Sequence, residues 1–236
     1  GALALNSRGK VERIELEAEL HNRGKKEFEI TLAEDGGAKV VVTEWFYGTS
    51  VGRFRKQYRE MLPEELRRHH LEMVGAVARS AEPASALEVD LEGYPGRRSF
   101  AVTAADYCVV QAGVLTFTIP EVAGAVFPLR GDKRESPLFM GSNEESGVEC
   151  RVILPKGFTA WKIVPESRRW SLPGGLGELD YSVERGSGSD GRVELLIKRR
   201  IERRAGVATP ELYPALLECN RVMNHAAART LVVGRE

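Results

Sequence analysis

The sequence has no apolar run long enough to cross a bilayer and no excess of charge of either sign. Its 34 basic residues are balanced by 34 acidic ones, so no long-range field draws the molecule towards nucleic acid or an anionic membrane. A polyanion partner would therefore need a local patch of charge. With 236 residues and 42% hydrophobic content, the chain can bury a full core as one large unit or two small ones.

Cysteine and histidine are also scarce. Cys108, Cys150 and Cys219 are widely spaced, form no C-x-x-C pair and have no histidine at zinc-ligand spacing. His69 and His70 are adjacent, so on a helix their side chains point about 100° apart and cannot chelate one ion together. We predict three small buried thiols, with one disulfide and a leftover thiol as the alternative. We expect no metal site and no catalytic residue.

A glycine-rich stretch at residues 186–191 matches the pattern G-x-G-x-x-G. A dinucleotide site needs a helix to begin at the last glycine, because the amide end of that helix holds the pyrophosphate. A strand pattern follows here instead. We interpret the glycines as a hairpin loop and expect no cofactor.

The most informative stretch, GRVELLIKRRIERR, follows at residues 191–204. One parity is apolar and consists of Val193, Leu195, Ile197 and Ile201. The other parity is charged and consists of Glu194, Lys198, Arg200, Glu202 and Arg204. This period of two predicts a strand with one buried face and one face in water. Arg199 breaks the apolar parity: it needs a carboxylate partner if buried, and it marks the exit of the strand from the core if exposed.

Alternating segments predict strands over most of the chain. A hairpin is predicted from strands at 14–20 and 28–32 around a turn at 21–24. Further strands are predicted at 39–46, 86–91, 99–103, 114–119, 148–154, 160–164, 179–184 and 230–233. We therefore predict a mainly β fold, an antiparallel β-sandwich-like architecture with two or three packed helices.

The helices are predicted from apolar residues that recur on one face. One begins at Pro63, where Glu64 and Glu65 suit the positive end of the helix dipole. Residues 51–62 before it can form another helical turn or two. Near the C-terminus, Thr209 can cap a helix that begins between 210 and 214.

A segment rich in glycine, proline and charge, residues 121–147, is the best candidate for a boundary. We predict one β-rich module over 1–236, or two closely packed lobes, 1–120 and 137–236, joined by a loop at 121–136. The loop either connects two β layers or carries a functional site.

The aromatic residues offer one candidate interaction surface. Trp45 and Trp161 are predicted to lie in the core. Trp170 stands beside Arg168 and Arg169, and we predict that it is exposed, where it could stack on a sugar or a base. These last three residues are the candidate interaction surface.

From Ser136 onward the order of elements resembles the C-terminal β-rich domain of bacterial transglutaminase-like proteins. The segments that carry the resemblance are SPLFM, VECRVILPKGF, IVPESRRWSLPGGLGELDYSVE, GRVELLIKRRIERR and TPELYPALLECNRVMNHAAARTLVV. Specific points are the turn at 154–157, the pair Val164-Pro165, and Tyr213 with the terminal helix and strand. Before Ser136 the sequence shares two features with the family. These are a glycine at a position like that of Gly48 and an arginine early in the following helix, like Arg53 or Arg55.

The resemblance implies an accessory role. In the family a β-rich domain precedes a papain-like transglutaminase core, and a further β domain closes the chain. The Cys, His and Asp motifs of that core are not in this sequence, so the resemblance transfers no catalytic residue and any activity is expected in an upstream domain. We expect a non-catalytic accessory β module that packs against the adjacent catalytic domain, transglutaminase-like or cysteine-peptidase-like, of the same polypeptide, presents substrate to it, or binds protein or carbohydrate.

The resemblance also implies a periplasmic or extracellular location. From the composition we expect no direct membrane insertion and no nucleic acid as a partner. The opening GALAL carries no signal-peptide pattern. Gly1 in place of Met fits either a fragment released from a tag or a processed natural terminus.

Two alternatives come from different functional classes. The first is a free-standing hydrolase whose acids and bases are carboxylates near the 121–147 segment, namely Asp132, Glu135, Glu144 and Glu145. The second is a nucleic-acid-binding module that uses the cations Lys198, Arg199, Arg200, Arg203 and Arg204.

Overall fold

A computed structural model describes residues 2–5, 11–14, 23–188 and 190–235. Over these residues the protein is mainly β and contains three α-helices and three short 3₁₀ turns. The predicted mainly β fold with packed helices is confirmed.

The strands, in chain order, are β1 (Ala2–Leu5), β2 (Val11–Ile14), β3 (Arg23–Leu32), β4 (Ala38–Phe46), β5 (Ala81–Pro83), β6 (Glu88–Asp90), β7 (Gly96–Ala104), β8 (Val109–Gln111), β9 (Val114–Thr118), β10 (Leu138–Met140), β11 (Glu144–Ile153), β12 (Phe158–Ile163), β13 (Arg168–Ser171), β14 (Gly177–Ser187), β15 (Val193–Arg203), β16 (Gly206–Ala208) and β17 (Thr230–Arg235). The helices are α1 (Thr49–Glu60), α2 (Pro63–Val77) and α3 (Tyr213–Asn224). The 3₁₀ turns are Pro173–Gly175, Pro210–Leu212 and Ala226–Ala228.

Two larger sheets form the body of the molecule. The long sheet has nine strands in the order β13-β14-β15-β11-β3-β4-β7-β5, with β6 also paired to β7. The second has four strands in the order β12-β17-β9-β8. The inner faces of both sheets contribute to a single cluster of buried residues, which includes Ile30, Val152 and Leu195 from the long sheet and Phe117 and Leu231 from the second. The sheets therefore pack as the two layers of a sandwich.

The pairing of β3 corrects the predicted hairpin. Residues 28–32 lie in β3 as predicted, but β3 has β4 on one side, antiparallel, and β11 on the other, parallel. Both sides of β3 are thus occupied by described strands. β2 pairs with β1, and residues 15–22 lie outside the described part of the chain. The alternation of apolar and polar residues identified the strand because one face of the strand is buried. It gives no information about which strand pairs with it.

The parity predicted for the stretch 191–204 is confirmed in β15. Leu195, Ile197 and Ile201 are buried, and Arg200 on the opposite parity is exposed. Arg199 is half-buried on the inner face, where the carboxylate of Glu121 stabilises its charge. Burial lowers the pKa of Arg199, and its Nε atom is buried without a hydrogen-bond partner in the described residues.

The helices predicted from Pro63 and from the C-terminal segment are confirmed as α2 and α3, and α1 is a full helix where a turn or two was predicted. Helix α2 begins as its sequence predicts, because the Glu65 carboxylate accepts a hydrogen bond of 3.1 Å from the backbone N–H of Leu62. This bond satisfies one of the amide groups left open at the helix start.

The segment 121–136 is irregular but firmly packed. Val122, Val126 and Phe127 are buried, each with 3% exposure or less. Asn220 of α3 fixes the segment through three hydrogen bonds: its Oδ1 accepts from the N–H groups of Val126 at 2.8 Å and Phe127 at 2.9 Å, and its Nδ2 donates to the carbonyl of Phe127 at 2.9 Å. The side chain thus replaces the hydrogen bonds that a regular element would supply, and it ties α3 to the loop.

We predict that Asn220→Ala lowers the free energy of unfolding by about 2–3 kcal/mol, because it leaves two partly buried N–H groups and one carbonyl without partners. Urea unfolding followed by circular dichroism measures the change. Asn224→Ala on the same helix is the control, since Asn224 is exposed, and it should cost less than about 0.5 kcal/mol. Equal losses in the two variants would contradict the role given to Asn220.

Candidate binding groove

A groove of about 420 Å³ lies between β13, with the segment that leads into it, and the C-terminal end of α3. Its floor contains Tyr181 and Met223, which are each 3% exposed. Trp170 forms one wall, and Arg168 and His225 lie at the rim. A concave site of this volume, mostly apolar with a few polar groups at its edge, has the properties of a ligand-binding site.

The alternation of β13 decides which of the predicted surface residues enter this groove. Arg168 and Trp170 are two residues apart, so they share one face, and the guanidinium carbon of Arg168 lies 6.0 Å from the centre of the Trp170 ring. Arg169 lies on the opposite face, where its Nη2 donates a hydrogen bond of 2.8 Å to Glu178. The structure therefore brings Arg168 and Trp170 together and separates Arg169 from them.

Trp170 is half-buried, whereas the sequence predicted that it is exposed. Its side chain lines the groove and also a smaller apolar cavity of about 140 Å³, which Leu172, Leu179 and Cys219 line as well. Helix α3 covers this side of β13, and the position of that helix could not be inferred from the local sequence. Trp45 and Trp161, predicted to lie in the core, are half-buried as well.

Tyr181 on the floor is a structural donor. Its hydroxyl donates a hydrogen bond of 2.9 Å to the carbonyl of Ala228 and so holds the last 3₁₀ turn against β14. Burial raises the pKa of Tyr181 well above its usual range, so the hydroxyl keeps its proton. Tyr181 is therefore unsuited to act as a general base.

The rim carries charged groups that are exposed to solvent. Arg168 contacts Glu166 at 3.2 Å, and Arg221 binds Glu218 through two hydrogen bonds of 2.6 Å. His225 accepts a hydrogen bond from the N–H of Ala227 at its Nδ1 atom, which leaves the Nε2 atom to carry the proton of the neutral ring. Exposed ion pairs of this kind contribute about 0–1 kcal/mol, so an incoming anion can exchange with Glu166 at little cost.

Among the described strands, the groove runs beside a free edge of the long sheet. β13 is the last strand of the long sheet, with β14 as its neighbour on one side. The N–H of Leu172 donates to the carbonyl of Gly177 at 2.8 Å, so these two residues form a hydrogen-bonded pair. In the antiparallel register, Trp170 and Leu179 are the next hydrogen-bonded pair. Because bonded and non-bonded pairs alternate, the backbone groups of Arg169 and Ser171 point away from β14. No hydrogen bond to these outward groups is formed within the described part of the chain.

A separate cluster of polar side chains joins α1 and α2 to the long sheet. The guanidinium of Arg98 binds Glu44 through Nε at 2.9 Å and Nη2 at 2.6 Å, and its Nη1 donates to the Tyr58 hydroxyl at 2.8 Å. The Tyr58 hydroxyl also lies 3.0 Å from Nε2 of His69. The cluster thus connects α1 and α2 to β4 and β7.

The protonation states in this cluster favour a structural role. Burial raises the pKa of Tyr58, and burial together with the charge of Arg98 lowers the pKa of His69. Burial disfavours the charge of Arg98, but Glu44 and Tyr58 outweigh it and raise its pKa. The neighbouring His70 packs against Phe100, with ring centres 5.6 Å apart. The two adjacent histidines therefore serve different contacts, and the cluster holds the helices in place.

The carboxylates invoked for a hydrolase are separated. Glu144 and Glu145 are consecutive in β11 and point to opposite faces, where Glu144 binds Arg203 and Glu145 binds Arg200 at 2.8 Å. Asp132 is exposed, and Glu135 is exposed in the same loop.

The cations invoked for nucleic acid are spread over two faces and are mostly paired. Lys198 binds Glu184 at 3.3 Å, and Arg204 contacts Glu202 at 3.2 Å. Arg199 lies on the inner face. The outer face of β15 therefore carries charges of both signs.

The thiols are free in the structure. Cys108 and Cys150 are buried as predicted, and burial raises the pKa of Cys108 to about 12; Cys219 is half-buried beside the small apolar cavity. Within the described residues no group of three or more His, Cys, Asp or Glu side chains is placed to hold a metal ion. The same part of the chain contains no helix with the length and apolarity needed to span a membrane.

No family model matches the chain, and no curated protein or solved structure matches it. The resemblance to transglutaminase-like proteins consequently depends on the sequence segments named above.

Sequence reasoning missed the other half of the groove. Tyr181, Met223 and His225 belong to separate elements that meet only in the folded protein. The shared parity of Arg168 and Trp170 within one strand was the available indication of a common face.

We predict that acid weakens the protein through the histidine pair. The pKa of His69 is lowered below its ordinary value of 6.5, so the unfolded chain takes up a proton at a higher pH than the folded protein does. The free energy of unfolding should therefore fall as the pH drops below 6.5, and His69→Gln should reduce this dependence. His70 shares the direction of the shift, so some dependence should remain.

Denaturant titrations across this pH range measure the effect. The titration of the wild type supplies the reference slope for His69→Gln. An unchanged slope in His69→Gln would contradict the interpretation.

Proposed function

We propose that this chain is a non-catalytic accessory β module that binds an extended acidic segment of a protein in the groove between β13 and α3. The observation that carries the proposal is the position of the groove directly beside the free edge of β13. An extended segment placed there can bond to the backbone of the strand and insert alternate side chains into the groove.

The backbone of β13 supports strand addition. The outward N–H and C=O groups of Arg169 and Ser171 are spaced for a neighbouring strand, and both residues are exposed. Short edge strands with charged side chains resist pairing with apolar strands. The arginines at 168 and 169 oppose such pairing here, and the charge of Arg168, which faces the groove, favours an acidic partner.

The groove can accept an apolar side chain of the bound segment with acidic side chains on either side of it. Trp170 and Met223 offer an apolar surface, while Arg168 and His225 provide hydrogen-bond donors at the rim. An acidic side chain can replace Glu166 at Arg168, because that pair is exposed and 3.2 Å long. A segment that alternates acidic and apolar residues therefore fits both features.

A carbohydrate is the second candidate, because Trp170 is an aromatic wall of the groove. Stacking requires an open ring face. The half-buried position of Trp170 and the guanidinium 6.0 Å from its ring centre favour the peptide.

The resemblance to bacterial transglutaminase-like proteins supplies the context of the proposal. In that context the module is periplasmic or extracellular and presents a protein segment to the adjacent catalytic domain of the same polypeptide. The groove then serves to position the segment, and the chemistry belongs to the neighbouring domain.

We predict that selection of random short peptides on the immobilised protein enriches sequences that alternate acidic and apolar residues. Titration of the enriched peptides should show binding weakened at least about tenfold by Trp170→Ala and by Arg168→Glu, since each removes a central contact. Arg169→Glu is the matched control, because it makes the same charge change on the opposite face of the same strand. Its affinity should stay within about twofold of the wild type.

Amide hydrogen exchange provides an independent measurement of strand addition, through slower exchange at Arg169 and Ser171 in the bound state. Enriched peptides without acidic residues, or equal losses in Arg168→Glu and Arg169→Glu, would contradict the proposal. Binding of neutral saccharides that Trp170→Ala abolishes would favour the carbohydrate instead.

A further inference from the structure

The outer face of the long sheet has a gap at Gly147. The residues beside Gly147 on the two neighbouring strands are Lys25 of β3 and Arg200 of β15. All three lie on the face opposite the groove at Trp170. Neighbouring strands are about 4.8 Å apart, so the two cations flank an uncovered strip of backbone about 10 Å wide.

The backbone does not require glycine at this position. The φ angle of Gly147 lies outside the positive region, and an added Cβ would meet nothing closer than 4.0 Å, the distance to the carbonyl oxygens of Arg199 and Gly24. Glycine inside a strand weakens the strand, and it is typical of places where a ligand or another backbone approaches closely. Neither strain nor crowding requires glycine here, and the missing side chain leaves the strand backbone open to an approaching ligand.

The gap lies in a cavity of about 360 Å³ whose lining is rich in charged residues. Its lining includes the side chains of four cations and two carboxylates, namely Arg23, Lys25, Lys198, Arg200, Glu145 and Glu149. Lys198 binds Glu184, which is outside the cavity. Lys25 likewise binds Glu27, which is also outside the lining, so Arg23 is the one of these four cations that forms no ion pair within the described residues.

Arg23 adds a donor without a partner. Its guanidinium carbon lies 3.9 Å from the centre of the Tyr47 ring, and its Nε atom is buried without a hydrogen bond in the described residues. The stacking holds the guanidinium flat at the wall of the cavity, where its position is fixed before a ligand arrives.

We propose that this cavity binds a ligand that carries an oxyanion, with the anionic group above Gly147 between Lys25 and Arg200. Carboxylate, sulfate and phosphate groups share the chemistry that these cations recognise. The ion pairs of Lys25 with Glu27 and Glu149, and of Arg200 with Glu145 and Glu202, are at least partly exposed, so they can rearrange around the ligand at little cost. The site is independent of the groove at Trp170.

The test is isothermal titration at constant ionic strength, set with sodium chloride, using inorganic sulfate, an acidic galacturonate disaccharide and a neutral disaccharide as probes. We expect sulfate or the acidic disaccharide to bind and the neutral one to fail. Binding of the acidic disaccharide identifies a sugar acid as the source of the anion, and binding of sulfate alone identifies a free oxyanion. Absence of binding by both anions overturns the proposal.

Two variants connect the binding to this cavity. Gly147→Val fills the gap with a residue that favours strands, so it should fold normally and bind the anion at least about tenfold more weakly. Arg200→Gln should weaken binding to a similar extent. Gly186→Val is the control, because Gly186 is a strand glycine with nothing within 4 Å of an added Cβ, and it should bind as the wild type does. Unchanged affinity in Gly147→Val overturns the proposal.

Discussion

The parallel pairing of β3 with β11 is the constraint on which the rest of the structure depends. Parallel neighbours cannot be joined by a tight turn and need a long crossover. Here the crossover contains α1, α2 and all strands from β4 to β10, including two strands of the second sheet. Strands from the two halves of the chain are thereby neighbours in the middle of the long sheet, and a single buried cluster forms beneath them. Separation of the halves would break the sheet at its centre.

This arrangement also decides where binding surfaces can form. The loop at 121–136 closes over the inner face and is fixed there by Asn220, which places α3 against the end of the sheet where β13 lies. The groove between β13 and α3 is a product of that contact. The outer face remains open to water, carries charges of both signs and has a gap at Gly147. The two proposed sites therefore lie on opposite faces of one sheet and differ in chemistry.

Local patterns predicted the elements well because each element has to bury one face. The parity of Leu195, Ile197 and Ile201 identified the inner face of β15, and Pro63 with Glu65 identified the start of α2. The partners of the strands were not predictable, since alternation in β3 is equally compatible with a hairpin and with the parallel neighbour it has. Half of the groove was likewise inaccessible, because Met223 and Tyr181 meet only through packing of α3. The predicted surface of Arg168, Arg169 and Trp170 contained two residues of the groove and one of the opposite face, a division that the period of β13 explains.

The central claim is that an acidic protein segment adds to the edge of β13 with its side chains in the groove. The most direct measurement is the structure, by isotope-edited NMR, of the protein bound to the tightest peptide obtained by selection. The account predicts an extended peptide whose backbone bonds to Arg169 and Ser171, with an apolar side chain against Trp170 and a carboxylate at Arg168. A peptide bound on another face, or one bound without backbone pairing to β13, would contradict it.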